Sequence, residues 1–111
     1  MKTAVIYARQ KQFATNNTIE NQFAICKKFA LEQNIKIVCQ YKDTIFPNKT
    51  KLDGLTKLLK DAENSNWNYI IIDQFKELGR KLTEVNKILK HLSTNKKVLL
   101  VAEFKNGDYR L

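Results

Sequence analysis

The candidate chemistry of this sequence lies in its few arginines rather than in an obvious nucleophile. The chain has 20 lysine and arginine residues, and only Arg9, Arg80 and Arg110 are arginine. A guanidinium presents a fixed fork of donors that matches phosphate oxygens, whereas a lysine ammonium is a mobile point charge. Arg9 directly follows the apolar run 4–8, and Lys11 stands two residues further on. An exposed lysine is protonated at neutral pH and has no lone pair to offer, so this segment favours anion contact over nucleophilic attack.

Metal and cofactor chemistry have little support in the sequence. Cys26, Cys39 and His91 are the only cysteines and the only histidine, and their spacing is not that of a zinc site. Cys26 falls in a helical apolar pattern and Cys39 in a strand pattern, so we predict two buried thiols rather than a disulfide. His91 lies near the end of a predicted helix, where a cation complements the helix dipole. With three glycines and no glycine-rich phosphate loop, no nucleotide cofactor is expected.

Hydrophobic periodicity divides the chain into alternating strands and helices. Asn16-Asn17-Thr18 supplies capping side chains before the first helix, and Asn34 ends that helix. A loop is expected where Pro47 lies. The predicted elements are strand 4–9, helix 19–33, strand 35–41, loop 43–50, helix 52–62, strand 69–72, helix 82–92 and strand 98–102.

This order predicts an α/β fold with three layers: a mostly parallel sheet of four to five strands, with helices on both faces. Ligands of such sheets bind at the carboxyl ends of the strands, which here are the loops that follow the four predicted strands. A phospho-acceptor receiver domain has the same element order, and Asp73 fits its acceptor position. However, a receiver needs a metal-binding acidic pair after the first strand, and residues 8–11 provide none.

Several short motifs, in order and at matching spacing over about residues 4–104, resemble the N-terminal catalytic domain of serine recombinases (resolvases and invertases). No single fragment is specific, and the resemblance rests on all of them together. The fragments are Tyr7-Ala8-Arg9 for Y-A-R-V-S, Thr18-Ile19-Glu20-Asn21-Gln22 for S-I-E-N-Q, Tyr41-Lys42-Asp43, Gly54-Leu55-Thr56-Lys57-Leu58-Leu59 with Asp61-Ala62-Glu63 for P-G-L-x-x-L-L-x-D-A-E, and Leu78-Gly79-Arg80 for the end of K-L-D-R-L-G-R.

The resemblance implies a reaction and a set of residues to perform it. In that family a serine hydroxyl attacks a DNA phosphodiester, forms a phosphoserine bond and later rejoins the exchanged strands without metal or added energy. Arginines stabilise the negative charge that the transition state spreads over the nonbridging oxygens. Of this active-site set the present sequence keeps Arg9, Gln22 and Arg80.

The sequence departs from the family pattern at three places. Lys11 stands where the nucleophilic serine is expected. The arginine of the second loop either falls at Leu52 or is deleted, depending on the alignment. Lys76-Glu77 replaces the Asp-Arg pair of the third motif, which puts a carboxylate where a phosphate-binding guanidinium belongs. Loss of strand-cleaving activity is therefore expected, and the carboxylate would also weaken binding of a scissile phosphate.

The four retained or substituted positions also have plainer interpretations. Arg9 and Arg80 fit surface cations or sheet-end salt bridges as well as a residual phosphate pocket. Gln22 fits a cover for the helix start, and Lys11 fits a solvated lysine as well as an anion contact. We carry Arg9, Gln22, Arg80 and Lys11 forward as candidate phosphate- or DNA-binding residues, with no catalytic residue assigned.

Charge and length indicate the partners to expect. The net charge of +9 favours polyanions, so weak, salt-sensitive contact with DNA is expected. No apolar run approaches the roughly 20 residues needed to span a bilayer, and the N-terminus lacks a signal-peptide core, so a cytoplasmic protein without membrane contact is expected. Family members continue into a dimerising helix and a DNA-reading domain. We expect residues 1–111 to be one catalytic-type domain without either extension.

Three functional hypotheses are consistent with the sequence. In the first, the chain is a recombinase-like protein without catalytic activity that acts as an interaction or regulatory module, pairing with a full-length recombinase or with itself. In the second, it is a basic nucleic-acid-binding domain. In the third, it is an active strand transferase with an atypical nucleophile, such as Thr15, Tyr7 or a deprotonated Lys11.

Overall fold

The chain forms four strands and three α-helices in a computed structural model that describes residues 1–49, 51–79 and 81–104. Each helix connects two strands, as the alternating periodicity predicts. The elements are β1 (Lys2–Lys11), α1 (Ile19–Glu32), β2 (Ile35–Ile45), α2 (Asp53–Ala62), β3 (Tyr69–Ile72), α3 (Leu82–Thr94) and β4 (Val98–Val101), with 3-10 turns at Phe75–Leu78 and Ala102–Phe104.

The described strands form one parallel sheet in the order β2-β1-β3-β4. Strand β1 is central and therefore needs apolar side chains on both faces, which explains its unbroken apolar run. Ala4 and Ile6 pack with α1 on one face, whereas Val5 and Tyr7 pack with α2 and α3 on the other. The predicted three-layer α/β fold is confirmed, with four parallel strands in the described residues.

The predicted limits of β2 and the first loop are wrong at their shared boundary. Strand β2 continues through Asp43 and Thr44 to Ile45, because β1 also runs on to Lys11 and pairs with it along its whole length. Polar residues at the end of a strand are tolerated where their backbone groups are paired in the sheet. This extension places the Asp43 side chain beside the end of β1.

The two cysteines differ in burial. Cys26 is fully buried on the inner face of α1, as predicted. The prediction for Cys39 is wrong, because its side chain is exposed. Strand β2 is an edge strand, and its register with β1 shifts between Ala4 and Val5, so that the inward positions resume only at Tyr41. Such an irregularity breaks the alternation on which the prediction depends.

The described helices give no indication of a membrane span. The longest of them, α1, has 14 residues, and none combines the length and the apolar character needed to cross a bilayer.

Candidate anion site at the carboxyl edge of the sheet

A cavity of about 630 Å³ opens where β1 ends, at the edge of the sheet that the topology predicts for ligands. Arg9 and Lys11 come from the end of β1, and Asn17 comes from the loop that leads to α1. Lys76 and Glu77 come from the 3-10 turn that follows β3. The structure therefore brings the predicted residues Arg9 and Lys11 to one place.

The guanidinium of Arg9 is the least satisfied polar group of this cavity. The residue is only 9% exposed, and its Nε and Nη2 atoms are buried without a hydrogen-bond acceptor. Its guanidinium carbon lies 5.3 Å from the centre of the Tyr7 ring. The ion pairs formed by the described residues do not include Arg9. Because an unpaired buried donor costs about 1–3 kcal/mol, a bound oxyanion that accepts from Arg9 would stabilise the site.

Gln22 positions Arg9 through the backbone. Its side chain is fully buried and donates to the carbonyl oxygens of Arg9, at 2.6 Å, and Asn17, at 2.7 Å. It also accepts from the backbone N–H of Arg9, at 3.2 Å. Both N–H groups of its amide are therefore engaged within the protein. Gln22 does not line the cavity; it joins β1 to the start of α1 behind Arg9 and offers no free donor.

Asp43 lies at the same edge of the sheet, opposite Arg9 in the pairing of β1 with β2, and the sequence motifs do not reveal its role. Its carboxylate accepts from the Tyr7 hydroxyl at 2.7 Å and from the backbone N–H groups of Gly54 and Leu55 at 2.7 and 2.8 Å. It thus caps α2, whose own N-cap residue, Leu52, provides no side-chain acceptor. The sequence gives one signal of this role, which is that Leu52 at the start of α2 cannot cap the helix with its side chain. The residue that caps the helix instead, Asp43, lies 11 positions before Gly54.

Close packing at this cap leaves no room for a side chain at Gly54. A Cβ atom there would lie 2.2 Å from the carbonyl oxygen of Lys42. The glycine of the predicted P-G-L-like motif is therefore required because α2 begins against the backbone of β2.

Among the described residues, no hydroxyl is available beside Arg9. Those that line the cavity include no serine, threonine, tyrosine or cysteine, and Lys11 is exposed at its edge. Tyr7 is fully buried and donates its hydroxyl to Asp43, and burial raises the pKa of this hydroxyl far above its ordinary value. Thr18 caps α1 by accepting from the backbone N–H of Asn21 at 3.2 Å. Thr15 is exposed in the same loop but does not line the cavity.

The serine hydroxyls lie away from this cavity. Ser65 follows α2 and precedes β3, and its hydroxyl donates to the carbonyl oxygen of Asp61. Ser93 lies in the last turn of α3, before β4 begins. Both positions are at the amino edge of the sheet, opposite Arg9.

Glu77 places a buried carboxylate in the cavity. It is 5% exposed and accepts from the side-chain N–H of Asn17 at 3.0 Å. Desolvation by burial raises the pKa of Glu77, whereas the Asn17 hydrogen bond and the positive charges of Lys76 and Arg9 oppose this shift. The nearby charge of Asp73 adds to the rise. The cavity thus combines an unpaired guanidinium with a carboxylate that water solvates poorly.

The raised pKa of Glu77 predicts a pH-dependent difference between the wild type and the Glu77→Gln variant. Above its ordinary value of 4.5, the unfolded chain loses a proton that the folded chain still holds, so the stability contributed by Glu77 falls as the pH rises. The free energy of unfolding of the wild type, relative to Glu77→Gln, should decline as the pH rises above 4.5, until the folded carboxyl is also ionised. Chemical denaturation across this range measures it.

Asp73, whose pKa burial also raises, is present in both proteins, so the effect of its own burial is common to the two. Glu32→Gln, an exposed position on α1, is the matched control for the loss of one carboxylate. A difference between the wild type and Glu77→Gln that stays constant across the range would contradict the prediction.

The other residues that the sequence motifs single out lie elsewhere. Arg80 lies outside the described residues. Leu52 packs against the core at the start of α2, so no guanidinium is present there under either alignment. The ring of His91 contacts the carbonyl oxygen of Leu59 at 2.8 Å and lies 3.5 Å from the carboxylate of Glu63, which links α3 to α2. Within the described residues, no group of histidine, cysteine, aspartate or glutamate side chains is arranged to hold a metal ion.

A second cavity, of about 550 Å³, lies at the same edge of the sheet between the end of β2 and the start of α1. Its lysines are Lys42, Lys49 and Lys51, all exposed. Together with Lys11 and Lys76 they make the carboxyl edge rich in lysine, and Lys49 and Lys51 also pair with Asp53.

The fold and the Arg9 cavity define an α/β domain with a candidate anion site at the carboxyl edge of a parallel sheet. The family described as "Resolvase, N terminal domain" matches residues 4–110. The chain therefore belongs to the resolvase N-terminal domain family, as its motifs indicate. No curated protein sequence matches the chain significantly.

Solved structures of serine recombinase domains are similar to this chain. The C-terminal catalytic domain of ISC1926 TnpA, an IS607-like serine recombinase, is 27% identical, with a TM-score of 0.78 over 89% of this chain and 68% of that one. The N-terminal catalytic domain of TP901-1 integrase is 20% identical, with a TM-score of 0.79 over 92% and 78%. A resolvase family site-specific recombinase from Streptococcus pneumoniae is 16% identical, with a TM-score of 0.79 over 93% and 73%. The last two similarities support the fold alone.

Proposed function

We propose that this resolvase-like domain does not cleave DNA itself and acts through binding, as an interaction or regulatory module paired with a full-length recombinase or with a second copy. One observation carries the proposal: the described lining of the Arg9 cavity contains no hydroxyl or thiol. Covalent cleavage of a phosphodiester requires an activated nucleophile within reach of the phosphorus. Lys11, at the nucleophile position, is exposed and pairs through its backbone with Ile45 of β2, whose side chain offers no base.

The other departures support the same proposal. Transition-state charge on the nonbridging oxygens needs donors fixed in advance, and only Arg9 provides a guanidinium among the described residues of the cavity. Glu77 adds a negative charge that would repel a diester in the same place. Replacing the lysine by the family's serine alone, as in Lys11→Ser, would therefore leave transition-state stabilisation incomplete.

The experiment is a relaxation and nicking assay on supercoiled plasmid that carries the DNA flanking the gene of this protein. Neither the wild type nor Lys11→Ser should relax or nick the plasmid, while an active serine recombinase on its own substrate serves as the positive control. Sedimentation velocity, with the chain alone and mixed with a full-length family member, tests the pairing. Nicking by the wild type, or the absence of any association, would contradict the proposal.

A second candidate function is nucleic-acid binding without recombination, favoured by the basic carboxyl edge. Lysines that neutralise phosphates release counterions, so binding would weaken steeply as salt increases. Titration of labelled duplex across a salt series distinguishes the two candidates. A log–log slope that corresponds to several phosphates favours this second function, and no binding at moderate salt favours the first.

A further inference from the structure

Two buried charged residues, Arg9 and Glu77, line the Arg9 cavity without forming an ion pair with each other. Arg9 has two guanidinium nitrogens without an acceptor, and Glu77 is 5% exposed in the wall of the same cavity. No ion pair joins them among the described residues. A ligand that stabilises this arrangement must offer a hydrogen-bond acceptor to Arg9. It must not place an oxygen with a full negative charge next to the Glu77 carboxylate.

The Asn17 side chain fixes the carboxylate in this arrangement. Its amide donates to one oxygen of Glu77 at 3.0 Å, while its backbone carbonyl accepts from Gln22 at 2.7 Å. Gln22 in turn binds the backbone of Arg9 on both its N–H and its carbonyl group. The backbone of Arg9 and the carboxylate of Glu77 are therefore held by one hydrogen-bonded unit in the wall of the same cavity.

Phosphate groups differ in whether they can meet this requirement. A phosphodiester is fully ionised at neutral pH and carries only acceptor oxygens, so it repels a facing carboxylate. A terminal phosphate loses its second proton with a pKa of roughly 6, and its monoprotonated form has one O–H to donate. A hydrogen bond from this O–H to a carboxylate is of the charge-assisted kind, which is shorter and stronger than a neutral one.

We propose that the Arg9 cavity binds a terminal phosphate group in its monoprotonated form, with Arg9 donating to the charged oxygens and Glu77 accepting from the P–O–H group. Lys11 and Lys76, at the cavity wall, add favourable charge, and the Glu84 carboxylate, which also lines the cavity, is exposed and therefore screened by water. Inorganic phosphate and the phosphorylated end of a nucleic acid share this chemistry. The inference rests on the proposed function, because a domain that cleaves DNA would have to hold a diester in this place.

The first test compares inorganic phosphate with sulfate, which has the same shape but no proton to donate at neutral pH. In ¹⁵N NMR titrations of the full chain, we expect phosphate to shift the Arg9 Nε–H resonance and to bind about tenfold or more tightly than sulfate, since a lost hydrogen bond to a charged group has an effect of this order. This comparison uses the wild type, so it does not depend on the folding of a variant.

Two variants then test the role of the carboxylate. In Glu77→Gln the amide can donate to sulfate, so the preference for phosphate should fall to within about threefold. Glu32→Gln also removes one carboxylate, but at the end of α1 that points away from the cavity. This variant should keep the preference for phosphate over sulfate. Equal binding of both anions by the wild type, no binding of either, or an unchanged preference in Glu77→Gln would overturn the inference.

The last arm identifies the source of the phosphate. If the cavity binds a nucleic-acid end, a short oligonucleotide with a 5′-phosphate should shift the Arg9 Nε–H resonance more strongly than the same oligonucleotide with a 5′-hydroxyl. If the ligand is free phosphate, both oligonucleotides should shift this resonance only weakly. A 5′-hydroxyl oligonucleotide that binds at Arg9 as tightly as phosphate shows a diester site and overturns the inference. This result leaves the proposed function intact unless a covalent adduct also forms.

Discussion

Replacing Asp43 by asparagine should lower the free energy of unfolding by about 2–4 kcal/mol, because one buried carboxylate satisfies three donors from two different elements. Its partners are the Tyr7 hydroxyl of β1 and the backbone N–H groups of Gly54 and Leu55 in α2. Asp43 itself is only 8% exposed, so water does not replace the lost acceptor. Asparagine keeps one carbonyl oxygen and puts an N–H₂ group against donors, which leaves at least one of them unpaired.

Urea denaturation of the wild type and Asp43→Asn measures this loss. Tyr7→Phe, which removes one of the three donors together with its hydrogen bond, should cost about 1 kcal/mol. Asp53→Asn is the matched control: its side chain is 63% exposed in the first turn of α2, and the effect should stay within about 0.5 kcal/mol. If Asp43→Asn is as stable as this control, Asp43 does not hold the end of β1 and the start of α2 together.

Replacing Gln22 by leucine should cost about 3 kcal/mol, since it removes three hydrogen bonds from a fully buried position. Leucine fills a similar volume, so the loss comes from the polar groups left unpaired: the N–H and carbonyl groups of Arg9 and the carbonyl group of Asn17. The variant should also weaken phosphate binding, because the backbone of Arg9 is no longer joined to α1.

Two measurements separate these effects of Gln22→Leu. Urea denaturation gives the stability, and phosphate titration under conditions where the variant remains folded gives the binding. Gln12→Leu, at an exposed position of the loop between β1 and α1, is the control for an added apolar side chain. A variant with unchanged stability would mean that the Gln22 amide does not satisfy the backbone of Arg9.

The order of elements could be predicted because it depends on local periodicity. The apolar runs 69–72 and 98–101 form strands β3 and β4, and the Thr18 hydroxyl caps α1 as the sequence indicates. Asn34 adopts a positive φ of 58° directly after α1, which a small polar side chain tolerates at a helix end. Each of these features is determined within a few residues of the chain.

The features that the sequence predicts wrongly depend on contacts between distant parts of the chain. Residues 43–45 look like the start of a loop, yet they extend β2 because β1 pairs with them. Cys39 lies in a strand pattern, yet the register shift opposite Val5 and the edge position expose it. Neither pairing partner is close in sequence, so periodicity alone could not predict either feature.

The candidate site was only partly predictable for the same reason. Arg9 and Lys11 are candidate residues in the sequence, and both line the cavity because β1 extends beyond its predicted end at residue 9 to Lys11. Glu77 departs from the family pattern in the sequence itself, but its burial against Asn17 depends on a contact across 60 positions of the chain. The role of Gln22 likewise depends on the path of the loop around it.

The central claim is that this domain does not cleave DNA, and trapping of covalent protein–DNA adducts tests it most directly. In a recombinase reaction, the covalent bond between protein and DNA phosphate forms before any strand is exchanged. The wild type, incubated with labelled duplex and plasmid DNA and then denatured, should give no adduct on a gel on which an active serine recombinase gives a clear one. An adduct that disappears when Thr15, Tyr7 or Lys11 is replaced would contradict the account and identify the nucleophile.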